Sequence, residues 1–124
     1  VGSEMCIRDR MLLNGGEIDG QRYLSKETCQ LFTTETSKIS RRGLGFDKPD
    51  ADDPKKGNCA PAAPAEVYGH TGFTGTCAWV DPMNELVYVF LSNRIYPDVT
   101  NRKLNQLHIR ERIQGAIYDA MKKK

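Results

Sequence analysis

The sequence lacks the features that mark membrane, disulfide-rich or metal-binding proteins. Its longest uninterrupted apolar run, Leu86 to Leu91, has six residues, whereas a membrane-spanning helix needs about 20. It has four cysteines and two histidines, and no pair of cysteines has the C-x-x-C spacing of zinc or redox motifs. A metal site built from Cys59, His70 and Cys77 is a disfavoured alternative to scattered thiols. We therefore expect no membrane span, no metal and no cofactor.

The sequence also lacks a marked excess of positive or negative charge. The chain has 18 Lys and Arg against 16 Asp and Glu, a net charge of +2, which gives no reason to expect a nucleic-acid partner. Its 124 residues are enough for one domain. With 39% apolar residues, 11 Gly and 6 Pro, the composition is globular and excludes a collagenous or wholly disordered chain.

The first ten residues, 1–10, stand apart from the rest of the chain. They read VGSEMCIRDR, without helical or strand periodicity and without the apolar segment of a signal peptide. They resemble the translated sequencing-adapter stretch found at the ends of assembled reading frames. We predict that residues 1–10 are a non-native leader and that 11–124 are a portion of a single domain. An ordinary disordered N-terminus is the alternative.

The first half of the domain is predicted to be helical and loop-like. A helix should end at Gly15-Gly16, a turn should follow at Asp19-Gly20, and a second helix should begin after Ser25 as its N-cap. Residues 43–46 could form a strand. Residues 47–65, with four of the six prolines, are predicted to be a long surface loop at the rim of a site.

The second half predicts an antiparallel sheet covered by helices, an α+β fold. Strands are expected over 67–71, 77–81 and 85–92, the last apolar on both faces and so covered on both sides. A helix should run to Met121, and residues 102–112 should present a solvent face. The helix should pack on the sheet through one apolar stripe, formed by Ile109, Ile113, Ala116, Ile117, Ala120 and Met121.

Chemistry is concentrated in residues 68–76, which read YGHTGFTGT. Glycines in a strand leave its edge accessible to a substrate or to another extended backbone. His70 and Thr71 would place an imidazole and a hydroxyl beside that groove. The alternative interpretation is a glycine-rich turn with a hydrogen-bonded histidine.

His70-Thr71-Gly72, followed by an aromatic residue and Thr-Gly-Thr, resembles the K-T-G box of serine β-lactamases and penicillin-binding proteins. Histidine in place of lysine is a variant of the wider β-lactamase-related hydrolases. The order of box, two antiparallel strands and C-terminal helix agrees with that family. The resemblance implies that residues 11–124 are the C-terminal part of a β-lactamase/DD-peptidase-like fold.

The resemblance also implies roles for individual residues. His70 would hold the cationic or donor position near the substrate, with anion binding that depends on pH. Thr71 would donate a hydrogen bond to substrate, and Gly72 would leave room for it. The backbone N–H of Phe73 would be an oxyanion-hole donor. The substrate would be a small molecule or a cell-wall peptide, hydrolysed outside the cytoplasm by a periplasmic or secreted enzyme.

The departures from the family pattern concern the nucleophile. The chain has no S-x-x-K and no Y-x-N, the motifs that carry the family's serine, lysine and proton shuttle. The expected partner is therefore the missing N-terminal part of the same domain, and this chain alone should be inactive. The whole protein would cleave an amide, ester or β-lactam through an acyl-enzyme. The alternative is a non-catalytic peptidoglycan- or peptide-binding module, which could be attached to a glycoside hydrolase.

Overall fold

The chain folds as an α+β structure, as predicted. The computed structural model describes residues 2–34, 37, 39–50, 52–53 and 57–122. One sheet pairs β1 with β2, and the other has the antiparallel order β3-β4-β5. In the part of the chain described, no helix is long and apolar enough to cross a membrane. The elements in chain order are α1 (Gly2–Leu13), β1 (Glu17–Ile18), β2 (Gln21–Arg22), α2 (Lys26–Thr33), β3 (Tyr68–Thr71), β4 (Cys77–Asp81), β5 (Leu86–Phe90), α3 (Lys103–Gln106) and α4 (Ile109–Met121).

Local signals in the first half correctly predict where elements end. Gly15 has a positive φ of 64°, and the Gly16 N–H donates to the Met11 carbonyl at 2.8 Å, which closes α1 in the way typical of glycine. Asp19 and Gly20 both have positive φ in the turn between β1 and β2. Ser25 caps α2, because its hydroxyl accepts the Thr28 N–H at 3.1 Å.

Helix α1 begins at Gly2, so the segment set aside as a leader is helical. The lack of helical periodicity was a wrong guide to its secondary structure. Asp9 shows why the pattern misleads, because this carboxylate is 1% exposed and therefore sits on the buried side of the helix. The non-native origin of residues 1–10 stays a prediction.

The three-stranded sheet has a hydrophobic cluster on each face. On one face, α1 and α2 pack through Leu12 and Cys29 against Tyr68 and Val80. The other face carries a cluster that includes the single tryptophan and a side chain of α4, formed by Cys59, Val67, Cys77, Trp79 and Tyr88 with Ile117 against them. Strand β4 lies between the other two strands, and all five of its residues are buried.

Strand β5 departs from the prediction for an apolar strand covered on both sides. It is an edge strand, and only Tyr88 among its five residues is fully buried. Leu91, which follows it, is 56% exposed. The two-sided apolar pattern is real, but within the described residues no strand pairs with the outer edge of β5.

Helix α4 packs on the sheet as predicted, but on a different face of the helix. Ile117 contacts the core, whereas Ile113 of the predicted stripe is 40% exposed. The buried residues are Arg110, Glu111, Gln114 and Tyr118. Two hydrogen bonds explain why this face of α4 packs on the sheet. The Tyr118 hydroxyl donates to Asp81 Oδ2 at 2.7 Å, and Gln114 Oε1 accepts the Ala60 N–H at 2.8 Å. The predicted solvent face over 102–112 is therefore wrong at Arg110 and Glu111.

The segment 43–65 is more buried than a surface loop. No strand forms over 43–46, and an isolated bridge joins Asp47 to Gly69 instead. Asp47, Cys59 and Ala60 are each 2% exposed. The Asp47 carboxylate organises the segment, because it accepts hydrogen bonds from the side chains of Arg41 and Asn58 and from the Lys48 N–H, each at 3.0 Å.

Asp47 should make the free energy of unfolding depend on pH in the acidic range. Burial by itself raises the pKa of Asp47, but the hydrogen bonds from Asn58 and Arg41 and the charge of Arg41 bring it below its ordinary 3.8. A carboxyl with a depressed folded pKa stabilises above its unfolded pKa and loses that contribution as pH falls through the folded value. Asp47→Asn should cost about 2 kcal/mol near neutral pH, a value reduced for the one-third exposure of Arg41.

Urea unfolding of both forms, near neutral pH and at about pH 3, checks this prediction. The gap between the two forms should shrink in acid, because the wild-type carboxyl is then becoming protonated. A gap that is constant across the two pH values would contradict the ionised role of Asp47.

Candidate active site

The outer edge of β3, which faces away from β4, is covered at Gly69 and open at Thr71. Gly69 exchanges two backbone hydrogen bonds with Asp47, at 2.7 and 3.0 Å. Backbone groups alternate between the two sides of a strand, so Thr71, two residues on, faces the same outer edge. No further bridge follows there among the described residues. The edge is therefore open at the residue predicted to contact substrate.

His70 is exposed, and both of its ring nitrogens are engaged. Its Nδ1–H donates to the Thr71 carbonyl at 2.7 Å, and its Nε2 accepts from Nη2 of Arg42 at 3.1 Å. Because a carbonyl only accepts and a guanidinium only donates, these contacts assign the ring proton to Nδ1. Arg42 was not predicted from the sequence, since it lies 28 residues from His70 and no motif links the two positions.

Residues 72–75 form a tight turn after β3. The Gly75 N–H donates to the Gly72 carbonyl at 3.0 Å, and the Gly72 N–H donates to Thr76 at 2.7 Å. The Phe73 N–H, inside this turn, has no acceptor in the described part of the chain. Its ring is 69% exposed, and the Arg94 guanidinium lies 5.0 Å above it. The turn thus presents an unpaired backbone donor beside the open edge.

The glycines of the motif make room mainly for the chain itself. A Cβ at Gly69 would overlap the Ala78 carbonyl oxygen and lie 2.6 Å from the Trp79 ring. A Cβ at Gly72 would overlap the Thr76 hydroxyl. These glycines were predicted to leave room for a substrate or another extended backbone, whereas the groups that approach them here belong to β4 and the turn that precedes it.

A cavity of about 430 Å³ adjoins the motif on the α4 side of the sheet. Asn58 lies in its wall, so the segment 47–65 contributes to the rim of this cavity, and the role of the cavity as a substrate site stays a prediction. The wall also contains the motif residues and the start of α4, and its lining is Gly57, Asn58, Thr71, Gly72, Phe73, Arg94, Asn105, His108, Arg110 and Glu111.

Arg110 and Glu111 form a buried charged pair in that wall. Arg110 Nη2 lies 3.9 Å from Glu111 Oε1 and 3.1 Å from Asn105 Oδ1. Glu111 Oε2 has no hydrogen-bond partner in the described residues. This pair was not predicted, because an Arg-Glu sequence on a helix usually marks a solvated surface.

The cysteines are unsuited to act as ligands or nucleophiles here. Burial raises the pKa of Cys77 to about 11 and that of Cys59 to about 12, so both thiols are protonated near neutral pH. Both belong to the buried Trp79 cluster, while His70 is exposed on the strand that borders it. Within the described residues, no group of three or more His, Cys, Asp and Glu side chains could hold a metal ion.

Comparison with known proteins identifies the family of this chain. The family model described as Beta-lactamase matches residues 6–111. The chain belongs to the β-lactamase family. This family includes the serine β-lactamases and penicillin-binding proteins, so the resemblance carried by His70-Thr71-Gly72 is confirmed.

Several relatives of this β-lactamase-family chain are named as peptidases. Proteins of Escherichia coli O157:H7, Salmonella gallinarum and Salmonella typhi, each named "Putative D-alanyl-D-alanine carboxypeptidase", are 30% identical to it over 102 residues. The matched region is 82% of this chain and 23% of each relative. The chain thus spans about a quarter of the length of these curated relatives.

Proposed function

We propose that this chain is the C-terminal part of a serine hydrolase that works through an acyl-enzyme. The observation that carries the proposal is the open β3 edge at Thr71 with the unpaired Phe73 N–H beside it. An extended peptide can add to such an edge through backbone hydrogen bonds. A fixed N–H donor next to it is suited to stabilise the oxyanion of a tetrahedral intermediate.

Each motif residue has a proposed role in that reaction. The Phe73 N–H is one oxyanion-hole donor, and the second is the N–H of the serine nucleophile in the missing part of the domain. Thr71 and Gly72 bind the substrate along the edge, and His70 holds the edge in shape through its bond to the Thr71 carbonyl. The nucleophile and its lysine come from outside this chain, because the chain has no S-x-x-K.

The names of the relatives and the edge geometry favour an amide substrate. A peptide lying along β3 would present its scissile carbonyl near the turn at Phe73. We infer that the substrate is a D-amino-acid-containing cell-wall peptide, rather than a β-lactam or a simple ester, and that the enzyme acts in the periplasm or outside the cell. Relatives named as D-alanyl-D-alanine carboxypeptidases support this.

Turnover by this chain and by the longer protein tests the proposal. The longer gene product should release D-alanine from a peptide ending in D-Ala-D-Ala, and this chain alone should release none, because it has no serine paired with a lysine. Changing the serine of the upstream S-x-x-K to alanine should abolish release. Turnover by this chain alone, or a longer protein without S-x-x-K that only binds the peptide, would contradict the proposal and favour the non-catalytic module.

A further inference from the structure

The turn that carries the Phe73 N–H is held from behind by the segment that follows β5. Strands β4 and β5 are antiparallel neighbours, so the chain that leaves β5 runs alongside the turn that precedes β4. There the Ser92 hydroxyl donates to the Thr74 carbonyl at 3.1 Å, and the Arg94 N–H donates to the same oxygen at 2.9 Å. One carbonyl of the turn therefore accepts two hydrogen bonds.

These two bonds begin a series of hydrogen bonds that ends at Phe73. The Thr74 carbonyl shares a peptide group with the Gly75 N–H, which donates to the Gly72 carbonyl at 3.0 Å. The Gly72 carbonyl in turn shares a peptide group with the Phe73 N–H. Because the C=O and N–H of a trans peptide group point in opposite directions, the two groups lie head to tail. This series, the turn relay, runs from the Ser92 hydroxyl through both peptide groups to the unpaired Phe73 N–H.

Hydrogen bonds arranged in such a series polarise one another. A donor on the Thr74 carbonyl makes the Gly75 N–H of the same peptide group a stronger donor, and the effect passes on to the Phe73 N–H. Each bond is strengthened by about 10–30%. The same bonds fix the planes of both peptide groups, so the Phe73 N–H needs no reorientation when negative charge develops beside it. The strength and the direction of this donor therefore depend on a side chain two peptide groups away.

We propose that Ser92 is a positioning residue for the oxyanion hole, whose hydroxyl orients and polarises the Phe73 N–H through the turn relay. The proposal rests on the proposed function, in which that N–H is an oxyanion-hole donor. Ser92 is half-buried and lies outside the wall of the cavity beside the motif, so it acts through the turn and not on a ligand. The other donor to the Thr74 carbonyl is the backbone of Arg94, which a change at Ser92 leaves in place.

The experiment measures kcat and KM separately on the longer, catalytically complete protein, with a peptide ending in D-Ala-D-Ala as substrate. The variants are Ser92→Ala, which removes the hydroxyl, and Ser92→Thr, which keeps it. Thr33→Val is the matched control. The Thr33 hydroxyl is also half-buried and also donates to a backbone carbonyl, that of Cys29 at 2.9 Å, but it belongs to α2.

Ser92→Ala should lower kcat by about fivefold, the scale of one neutral hydrogen bond, and should change KM by less than about twofold. The oxyanion develops only on the way through the tetrahedral states of acylation and deacylation, so a weaker donor slows both steps and leaves binding of the peptide unchanged. Ser92→Thr should recover most of the rate, and Thr33→Val should match wild type.

Three kinetic results would overturn the proposal. An unchanged kcat in Ser92→Ala would show that the hydroxyl has no role in the reaction. A loss confined to KM would show that Ser92 shapes the binding edge instead of the oxyanion hole. Equal losses in Ser92→Ala and Ser92→Thr would show that the packing of the side chain matters and its hydrogen bond does not.

Amide proton shifts separate the turn relay from the proposed function. In the longer protein with isotope-labelled glycine and phenylalanine, Ser92→Ala should move the amide protons of Gly75 and Phe73 upfield, because a weaker hydrogen bond shields its proton. Such shifts in a protein that releases no D-alanine would support the relay and contradict the hydrolase. An unchanged Phe73 amide proton would contradict the relay whether or not turnover occurs.

Discussion

Gly69→Ala is expected to destabilise the fold by about 3 kcal/mol or more, the upper range for overpacking a core. The added Cβ would overlap the Ala78 carbonyl oxygen, which belongs to the backbone of the central strand and cannot rotate away. It would also lie 2.6 Å from the ring of Trp79, a side chain that is 1% exposed. Relief requires β3 to move away from β4, and the Asp47 segment that is bonded to Gly69 on the opposite edge of β3 opposes that movement.

Urea unfolding followed by the fluorescence of Trp79, the single tryptophan, measures this effect. Gly115→Ala is the matched control. A Cβ at Gly115 would make an ordinary contact of 4.0 Å with Ala60, and the residue lies inside α4. That control should therefore stabilise the protein by about 0.5–1 kcal/mol through helix propensity. Equal midpoints for the two variants would show that β3 does not lie against β4 as described.

His70→Ala in the longer protein should lower kcat/KM by about 100-fold on every substrate, the scale of losing one preorganised contact. The change removes the hydrogen bond that holds the Thr71 carbonyl and the acceptor that contacts Arg42. Because the edge geometry itself is affected, the loss should not depend on which substrate is used. Thr71→Val should cost less, since one neutral hydrogen bond is worth about 0.5–1.5 kcal/mol.

Two companion measurements make the role of His70 testable. The unfolding midpoint should stay near wild type, because the side chain is exposed and contributes little to the core. His70→Lys should retain more activity than His70→Ala, since lysine is the usual first residue of the K-T-G box. Wild-type rates for His70→Ala on all substrates would return the motif to a glycine-rich turn with a hydrogen-bonded histidine.

Local sequence signals predicted most of the order of elements from Leu12 onwards, although the strand expected over 43–46 does not form. The glycine stop of α1, the Asp19-Gly20 turn, the Ser25 cap and the three strands each depend on contacts between near neighbours in the chain. Such signals are strong because the conformational preference of a glycine or a cap acts within one turn. The α+β class followed from that order alone.

Long-range polar contacts explain what could not be predicted. The face of α4 that packs on the sheet is chosen by Tyr118 bonding Asp81, 37 residues away, and by Gln114 bonding Ala60, 54 residues away. A hydrophobic pattern is blind to such partners, so it favoured the stripe that includes the exposed Ile113. Arg42 was missed for the same reason, since its contact with His70 has no counterpart in local spacing.

The bridge between Asp47 and Gly69 also limits how other chains can associate with the sheet. An unprotected strand edge is a template on which neighbouring molecules can stack and aggregate. Here the loop occupies the first part of the β3 edge and leaves only the stretch at Thr71 open. A short peptide can pair with so brief a stretch, whereas a full strand from a second molecule would collide with the loop. The two hydrogen bonds between Asp47 and Gly69 should therefore protect this side of the protein from self-association.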